Sequence, residues 1–344
     1  MRWKKTLQLL DVHCEGEVGK VILSGIYDIP GDTMMAKMDY INHENDSLRR
    51  FVCLEPRGAV NQTVNLMIPP CDPTADAGFI VLQADEAHPM SGANTMCVAT
   101  ALLETGMLEM HEPLTTLRLE APAGIVTAHA ECHDGKCVRV SLDMIPAYVE
   151  ALDQVVQTER WGEVKLDIAF GGVFYAVVFV EQLGIEITPD YTADLVEAGM
   201  VIKRAANEAF SVKHPDVPSI DHIAYAIFAQ RQADGSVRTC CTLWPGRVDR
   251  SPCGTGSSAI LSVLHARGEV QVGEQFVTRS IIDSEFQVKL RGITEVGGKP
   301  AVLPNVSGRC WTYGMSQLSL DPTDPFSRGF ALPDAWGAEA IHIK

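Results

Sequence analysis

Positive charge is in short supply in this sequence: 28 Lys and Arg stand against 44 Asp and Glu, for a formal net charge of -16. Such a surface repels phosphate backbones, so nucleic acid is not expected as a partner. Long apolar runs are missing too. The longest stretch of small and apolar residues, IAFGGVFYAVVFV at 168–180, falls short of the about 20 residues a bilayer span takes and reads as a buried strand. The opening MRWKKTLQLLDVHCEGE offers too few apolar residues for a secretory signal core. A cytoplasmic protein with no membrane partner is expected. Cysteine is not scarce, but its ten residues are scattered, which without a secretion signal suggests reduced thiols rather than a disulfide framework. Cys132-His133-Asp134-Gly135-Lys136-Cys137 has metal-binding residue types, yet its DG centre lies between alternating apolar runs and predicts a hairpin turn.

At 344 residues the chain has room for two ordinary cores. Most of it alternates short β-rich runs with Gly, Pro, Asn and Asp punctuation: VGKVILSGIYDI, AGFIVLQAD, TTLRLEAPAGIVTAHAEC, KCVRVSLDM, VFYAVVFVE, VRTCCTLWPG and EFQVKLRGI. Helical patterns are fewer: NTMCVATALLETG, ADLVEAGMVIKRAANEAF and TGSSAILSVLHARG. The fold class is therefore α+β, rich in antiparallel hairpins, and not a doubly wound sheet.

Two segments repeat each other. HPMSGANTMCVATALLETG at 88–106 and RSPCGTGSSAILSVLHARG at 250–268 align with an offset of 162 residues. Cys253 then falls on Ser91, Gly254 on Gly92, Ser257 on Thr95, Leu264 on Leu102 and Gly268 on Gly106. Each has a small polar opening, an apolar helix and a closing glycine. A helix start carries unpaired N–H groups and about half a positive charge. It binds anions and lowers a thiol's pKa. Cys253 is thus a candidate acid–base group, and a small carboxylate held by both helix starts would have Ser91 and Cys253 on opposite sides of its α-carbon. A Walker-type phosphate loop is excluded, because GTGSS lacks the lysine and the spacing. A cysteine-protease arrangement needs a histidine base, and nothing ties His222 or His265 to Cys253.

These segments carry a resemblance. The chain resembles the proline racemase family over nearly its whole length: DVHCEGE at 11–17, EPRG at 55–58, HPMSGANTMC at 88–97, GGVFYA at 171–176 and DRSPCGTG at 249–256. The resemblance implies a diaminopimelate-epimerase-like fold of two pseudo-symmetric domains, each with a barrel-like sheet around a central helix, and an active site in the cleft between. The domains are expected at 1–148, with Ser91, and at 149–344, with Cys253, the C-terminal segment free to return to the first. Neither a metal nor a pyridoxal cofactor is implied.

Racemases and hydroxyproline epimerases of this family resemble one another in using two cysteines, one per face of the α-carbon. Here the first position is Ser91, and Ala93 stands where a histidine often follows. A hydroxyl is a far weaker acid than a thiol. The resemblance, so qualified, implies a carbon–oxygen lyase, trans-3-hydroxy-L-proline dehydratase, which forms pyrroline-2-carboxylate in hydroxyproline degradation. Cys253 is expected as base, with Ser91 donating to or orienting the departing hydroxyl. The alternative is 4-hydroxyproline 2-epimerase. By the same carry-over Asp249 would contact the ring nitrogen, and the backbone N–H groups of Gly92, Ala93, Gly254 and Thr255 would hold the carboxylate. His222 is expected to be structural, and Asp11, His13, Glu55 and Arg57 to make buried hydrogen bonds. The partner is a small-molecule substrate, and a homodimer is left open.

Overall fold

The computed structural model describes residues 4–218 and 220–337. The chain divides into two compact units, Met1–Leu142 together with Gly308–Lys344, and Asp143–Ser307.

The first unit contains β1 (Lys5–Cys14), β2 (Glu17–Ser24), the short helices α1 (Met34–Asp39) and α2 (Ser47–Cys53), β3 (Gln62–Ile68), β4 (Ala77–Leu82) and β5 (Ala87–His88). Helix α3 (Gly92–Glu104), β6 (Leu114–Ala121), β7 (Gly124–His133) and β8 (Lys136–Asp143) follow, and the C-terminal segment adds β18 (Cys310–Leu320). The second unit contains β9 (Ala147–Thr158), β10 (Gly162–Phe170), β11 (Phe174–Phe179), α4 (Thr192–Ala209), β12 (Ile223–Arg231), β13 (Val237–Leu243) and β14 (Arg247–Val248). Its remaining elements are α5 (Gly254–Ala266), β15 (Gln275–Arg279), β16 (Glu285–Val296) and β17 (Lys299–Gly308).

The strand pairings of the two units match step for step. In the first, β1 is antiparallel to both β18 and β2, β2 runs parallel to β3, and β3 is antiparallel to β4. Strand β4 is antiparallel to β5 and parallel to β6, and antiparallel hairpins continue to β7 and β8. In the second, β10 is antiparallel to β9 and β11, β11 is parallel to β12, and β12 is antiparallel to β13. Strand β13 is antiparallel to β14 and parallel to β15, and hairpins continue to β16 and β17. Parallel neighbours need a crossover of a dozen or more residues; α1 and α2 provide it in one unit and α4 in the other. The repeat read from two helix starts thus extends through two pseudo-symmetric halves, in the α+β class expected. In the second unit β17 returns to pair with β9 and closes the sheet.

Helices α3 and α5 have no polar face. In α3 every residue from Gly92 to Leu103 is buried, and in α5 only Thr255, His265 and Ala266 escape full burial. A helix apolar all round must be enclosed. Accordingly α3 packs on β1, β2, β7 and β18, and α5 on β9, β10, β11 and β16. The crossover helix α4 is amphipathic instead, burying Leu195, Ala198, Ile202 and Ala206 at helical spacing. The Asp134-Gly135 turn has φ of 50° and 71°, so this motif is the β7–β8 hairpin turn its sequence predicts. Helices α1 and α2 were not expected. Among the described residues no helix is long and apolar enough to cross a membrane.

Both central helices end on a glycine in left-handed conformation, Gly106 at φ 70° and Gly268 at φ 77°. A methyl at Gly268 would meet nothing within 4 Å, whereas one at Gly171 would lie 2.1 Å from the carbonyl oxygen of Thr255 in α5. Gly268→Ala should therefore cost about 1–2 kcal/mol, the left-handed backbone penalty alone, and Gly171→Ala clearly more. Urea denaturation of both variants checks the order; equal losses would mean that Gly171 is not needed for the close approach to α5.

Candidate active site

In the second unit, strand β14 ends at Val248, and five residues later α5 begins with Cys253 as its N-cap. The intervening loop is tied by its own polar atoms. Asp249 Oδ1 accepts from the Ser251 N–H at 2.8 Å and from the Ser251 hydroxyl at 2.9 Å, and Ser251 Oγ accepts from the Cys253 N–H at 3.2 Å. These bonds hold Cys253 at φ 66°, ψ 103°. For a residue with a Cβ such a backbone costs on the order of 1–3 kcal/mol, which the buried loop network offsets. Asp249 is itself buried, so it works first as the keystone of the thiol loop.

The Cys253 sulfur is surrounded by donors. Tyr175 Oη lies 3.6 Å away and Thr255 Oγ1 3.9 Å, and the two hydroxyls are joined at 2.7 Å. The Cys241 thiol bonds to the sulfur, and the Gly256 N–H faces it. A methyl at Gly256 would lie 2.3 Å from Ile227 Cδ1 and 3.0 Å from the sulfur, so glycine is what lets the N–H come close. The hydrogen bond from Cys241 is the largest influence on the thiol. Together with Tyr175, Gly256 and Thr255 it outweighs burial and lowers the Cys253 pKa to about 7. Burial drives Cys240 and Cys241 the opposite way. Of these three neighbouring thiols, only Cys253 is poised to exchange a proton near neutrality.

In the first unit Ser91 caps α3 in extended conformation, φ −152° and ψ 125°. Serine at this position ordinarily spends its hydroxyl on a backbone N–H of its own helix. Ser91 does not; its Oγ accepts from the side-chain amide of Asn94 at 2.9 Å. Gly92 and Ala93 follow in the first turn, as Gly254 and Thr255 do in α5, where N–H groups have no intrahelical acceptor. Each helix start therefore sets a thiol or hydroxyl side chain beside unpaired backbone N–H donors, the kind of group that binds anions.

The other residues singled out by sequence lie elsewhere. His222 is exposed beside Asp221, and His265 sits in the last turn of α5, bonded to the Val270 carbonyl. Twelve residues of helix put His265 about 18 Å from Cys253, so it does not serve as the base of a cysteine protease, and the bond that His222 makes is to Asp221 rather than to the thiol. Asp11 pairs with Lys20 and accepts from Ser316, and His13 stacks on Trp311. Glu55 accepts from the Trp336 indole, and Arg57 pairs with Asp324. Sequence reasoning missed Tyr175, Cys241 and Asn94. Tyr175 and Asn94 stand inside the segments GGVFYA and HPMSGANTMC, which carry the family resemblance; Cys241 left no signal beyond its strand.

Comparison with known proteins places these features in context. The proline racemase family profile matches residues 9–331. The 4-hydroxyproline 2-epimerase of Rhizobium etli is 52% identical over 345 residues, covering the whole of both chains. That of Allorhizobium ampelinum is 54% identical over 346 residues, again end to end. The crystal structure of a hydroxyproline epimerase from Agrobacterium vitis with bound trans-4-hydroxy-L-proline matches with a TM-score of 0.94 at 54% identity, covering 99% of this chain and all of that one. A phenazine biosynthesis protein of the PhzF family from Bacillus anthracis, at 11% identity, 92% coverage of this chain and a TM-score of 0.56, shares the fold alone.

These relatives overturn the expected trans-3-hydroxy-L-proline dehydratase, and with it the hydro-lyase chemistry: along the full chain they are epimerases, the alternative reading. The physical fault lay in weighing Ser91 as an isolated hydroxyl. It stands at a helix start with an amide donor on its oxygen, and both favour the charge it would carry after giving up a proton.

The lowered Cys253 pKa has a direct signature. The ultraviolet thiolate absorbance lost in Cys253→Ala should appear in the native protein as pH rises through about 7. Tyr175→Phe removes one donor and should move that midpoint upward. An unmoved midpoint would leave Tyr175 a packing role only.

Proposed function

The chain belongs to the proline racemase family, and we propose that it is a 4-hydroxyproline 2-epimerase, converting trans-4-hydroxy-L-proline to cis-4-hydroxy-D-proline and back. The observation that carries this reading is the full-length identity with epimerases, one of them solved with trans-4-hydroxy-L-proline bound. The site chemistry supports it. A Cα proton is hard to remove because the electrons left behind meet a carboxylate already charged. Backbone N–H groups of Gly92, Ala93, Gly254 and Thr255, each at a helix start, would take up part of that charge as it spreads into the carboxylate. Asp249 would hold the protonated ring nitrogen, whose positive charge further acidifies Cα.

In this mechanism Cys253 and Ser91 serve opposite faces of Cα. Either the Cys253 thiolate takes the proton and the Ser91 hydroxyl returns one from the other side, or the roles reverse for the other epimer. The 4-hydroxyl takes no part in bond making. The reading carries a cytoplasmic location and a free imino acid as substrate. We propose a homodimer as its assembly; light scattering should give twice the chain mass.

Incubation of trans-4-hydroxy-L-proline in D₂O should give cis-4-hydroxy-D-proline bearing deuterium at Cα, followed by NMR. Cys253→Ala should lower the rate by about 10²–10⁴-fold, the usual worth of a positioned acid–base group, with substrate affinity changed far less. A wild-type protein that forms pyrroline-2-carboxylate from trans-3-hydroxy-L-proline but never inverts 4-hydroxyproline would refute the assignment.

A further inference from the structure

Epimerisation as proposed asks a serine hydroxyl to match a thiol, and the first helix start contains a device suited to that task. We propose that Asn94 is a positioning residue that holds the Ser91 oxygen through its charged state; this rests on the epimerase reading above. When Ser91 protonates Cα, the O–H bond breaks and its electron pair stays on Oγ while the new C–H bond forms. On the other face the Cys253 thiolate has taken the departing proton. The pair ends as thiol and alkoxide, and a proton then passes from one to the other through solvent to restore the resting enzyme. The unfavourable species is the alkoxide, and the Asn94 amide is bonded to its oxygen.

The hydrogen bonds run in one direction only. Asn94 donates to Ser91 Oγ at 2.9 Å, and Asn94 Oδ1 accepts from Asn65 Nδ2 at 2.9 Å. Asn65 Nδ2 also donates to the Lys20 carbonyl at 3.3 Å. A backbone carbonyl can only accept, so it fixes the Asn65 amide, which in turn fixes Asn94 with its N–H toward the serine. Ser91 is left as acceptor on that side, with its own proton free to point away. Both asparagines are buried, and among the described residues Asn65 Oδ1 has no hydrogen-bond partner. A buried orphan acceptor is a standing cost, and the fold carries it with the chain aimed at Ser91. Room for the chain comes from Gly19 in β2, where a methyl would sit 2.6 Å from Asn94 Oδ1.

The second unit supplies the contrast. At the position equivalent to Asn94, three residues after the cap, α5 has Gly256, whose backbone N–H faces the Cys253 sulfur. The readily ionised thiol has no amide side chain there, and the reluctant hydroxyl has one.

The test compares wild type, Asn94→Ala, Ser91→Cys and the double variant, measuring inversion of both hydroxyproline epimers and Cα deuterium uptake without inversion. In the serine background, loss of Asn94 should lower kcat for inversion about 10–100-fold, the scale of removing one donor from a developing anion, with KM little changed. The ratio of uptake without inversion to inversion should rise, because Cys253 still exchanges its own face. In the Ser91→Cys background the same loss should cost about threefold or less, since a thiol there needs no amide donor. Asn94→Asp, near in size but without the N–H, should show the same serine-specific loss and replaces the alanine variant if that fails to fold. Equal losses in both backgrounds, or none with serine, would overturn the role of Asn94. Wild-type turnover is a separate control: its absence removes the epimerase reading itself, whereas an active wild type matched by Asn94→Ala removes only this proposal.

Discussion

Two helices without a polar face govern this molecule. Because α3 and α5 present apolar or small residues all round, each must be enclosed, and strands of its own unit pack around it. Enclosure fixes where each helix begins. The N–H groups of a first turn cannot be satisfied within the helix, so burying the rest of the rod concentrates unmet donors and positive potential at one end. Everything chemical in the site is attached there: the cap residues, the glycines that keep backbone accessible, and the loop that locks Cys253 at φ 66°.

In the proposed epimerisation the two starts meet one electrostatic problem with different materials. Around Cys253 the donors are a thiol, two hydroxyls and a backbone N–H, and they bring the sulfur to about 7 against burial. Around Ser91 the donor is an amide carried by the helix itself. Duplication of a unit explains why both sites have the same scaffold, down to the sense of each strand pairing the two units share. It does not require the same acid at each, because the scaffold stabilises whichever anion the cap residue can form.

Much of this was legible in the sequence where the signal was local. The helix starts, the closing glycines at 106 and 268 and the hairpin at Asp134-Gly135 rest on residues a few positions apart, and the repeat is a likeness between two such local patterns. Helices α1 and α2 escaped notice, since 34–53 mixes charged, amide and apolar residues without a clean helical stripe. Tyr175 reaches Cys253 from a strand 78 residues earlier, and Asn65 reaches Asn94 across 29. Contacts of that kind leave no periodicity to read. The dehydratase expectation failed for the same reason: acidity was assigned to a residue type, whereas it belongs to the residue and its distant neighbours together.

The split of the first unit bears on how the chain comes off the ribosome. Strand β1 finds its partner in β18, with Lys5 opposite Leu320 and Cys14 opposite Cys310, so that sheet lacks a wall until residues 310–320 have emerged. The unit formed by Asp143–Ser307 is continuous and has all of its strands earlier. Synthesis in the usual direction then completes the later-encoded half first, with the N-terminal half waiting, its apolar helix α3 partly unsheathed, for the last strand. A chain stopped short of residue 310 would keep the cysteine half intact and leave the serine half open. Quality control acting on unclosed sheets would see the closure of the first unit reported by β18.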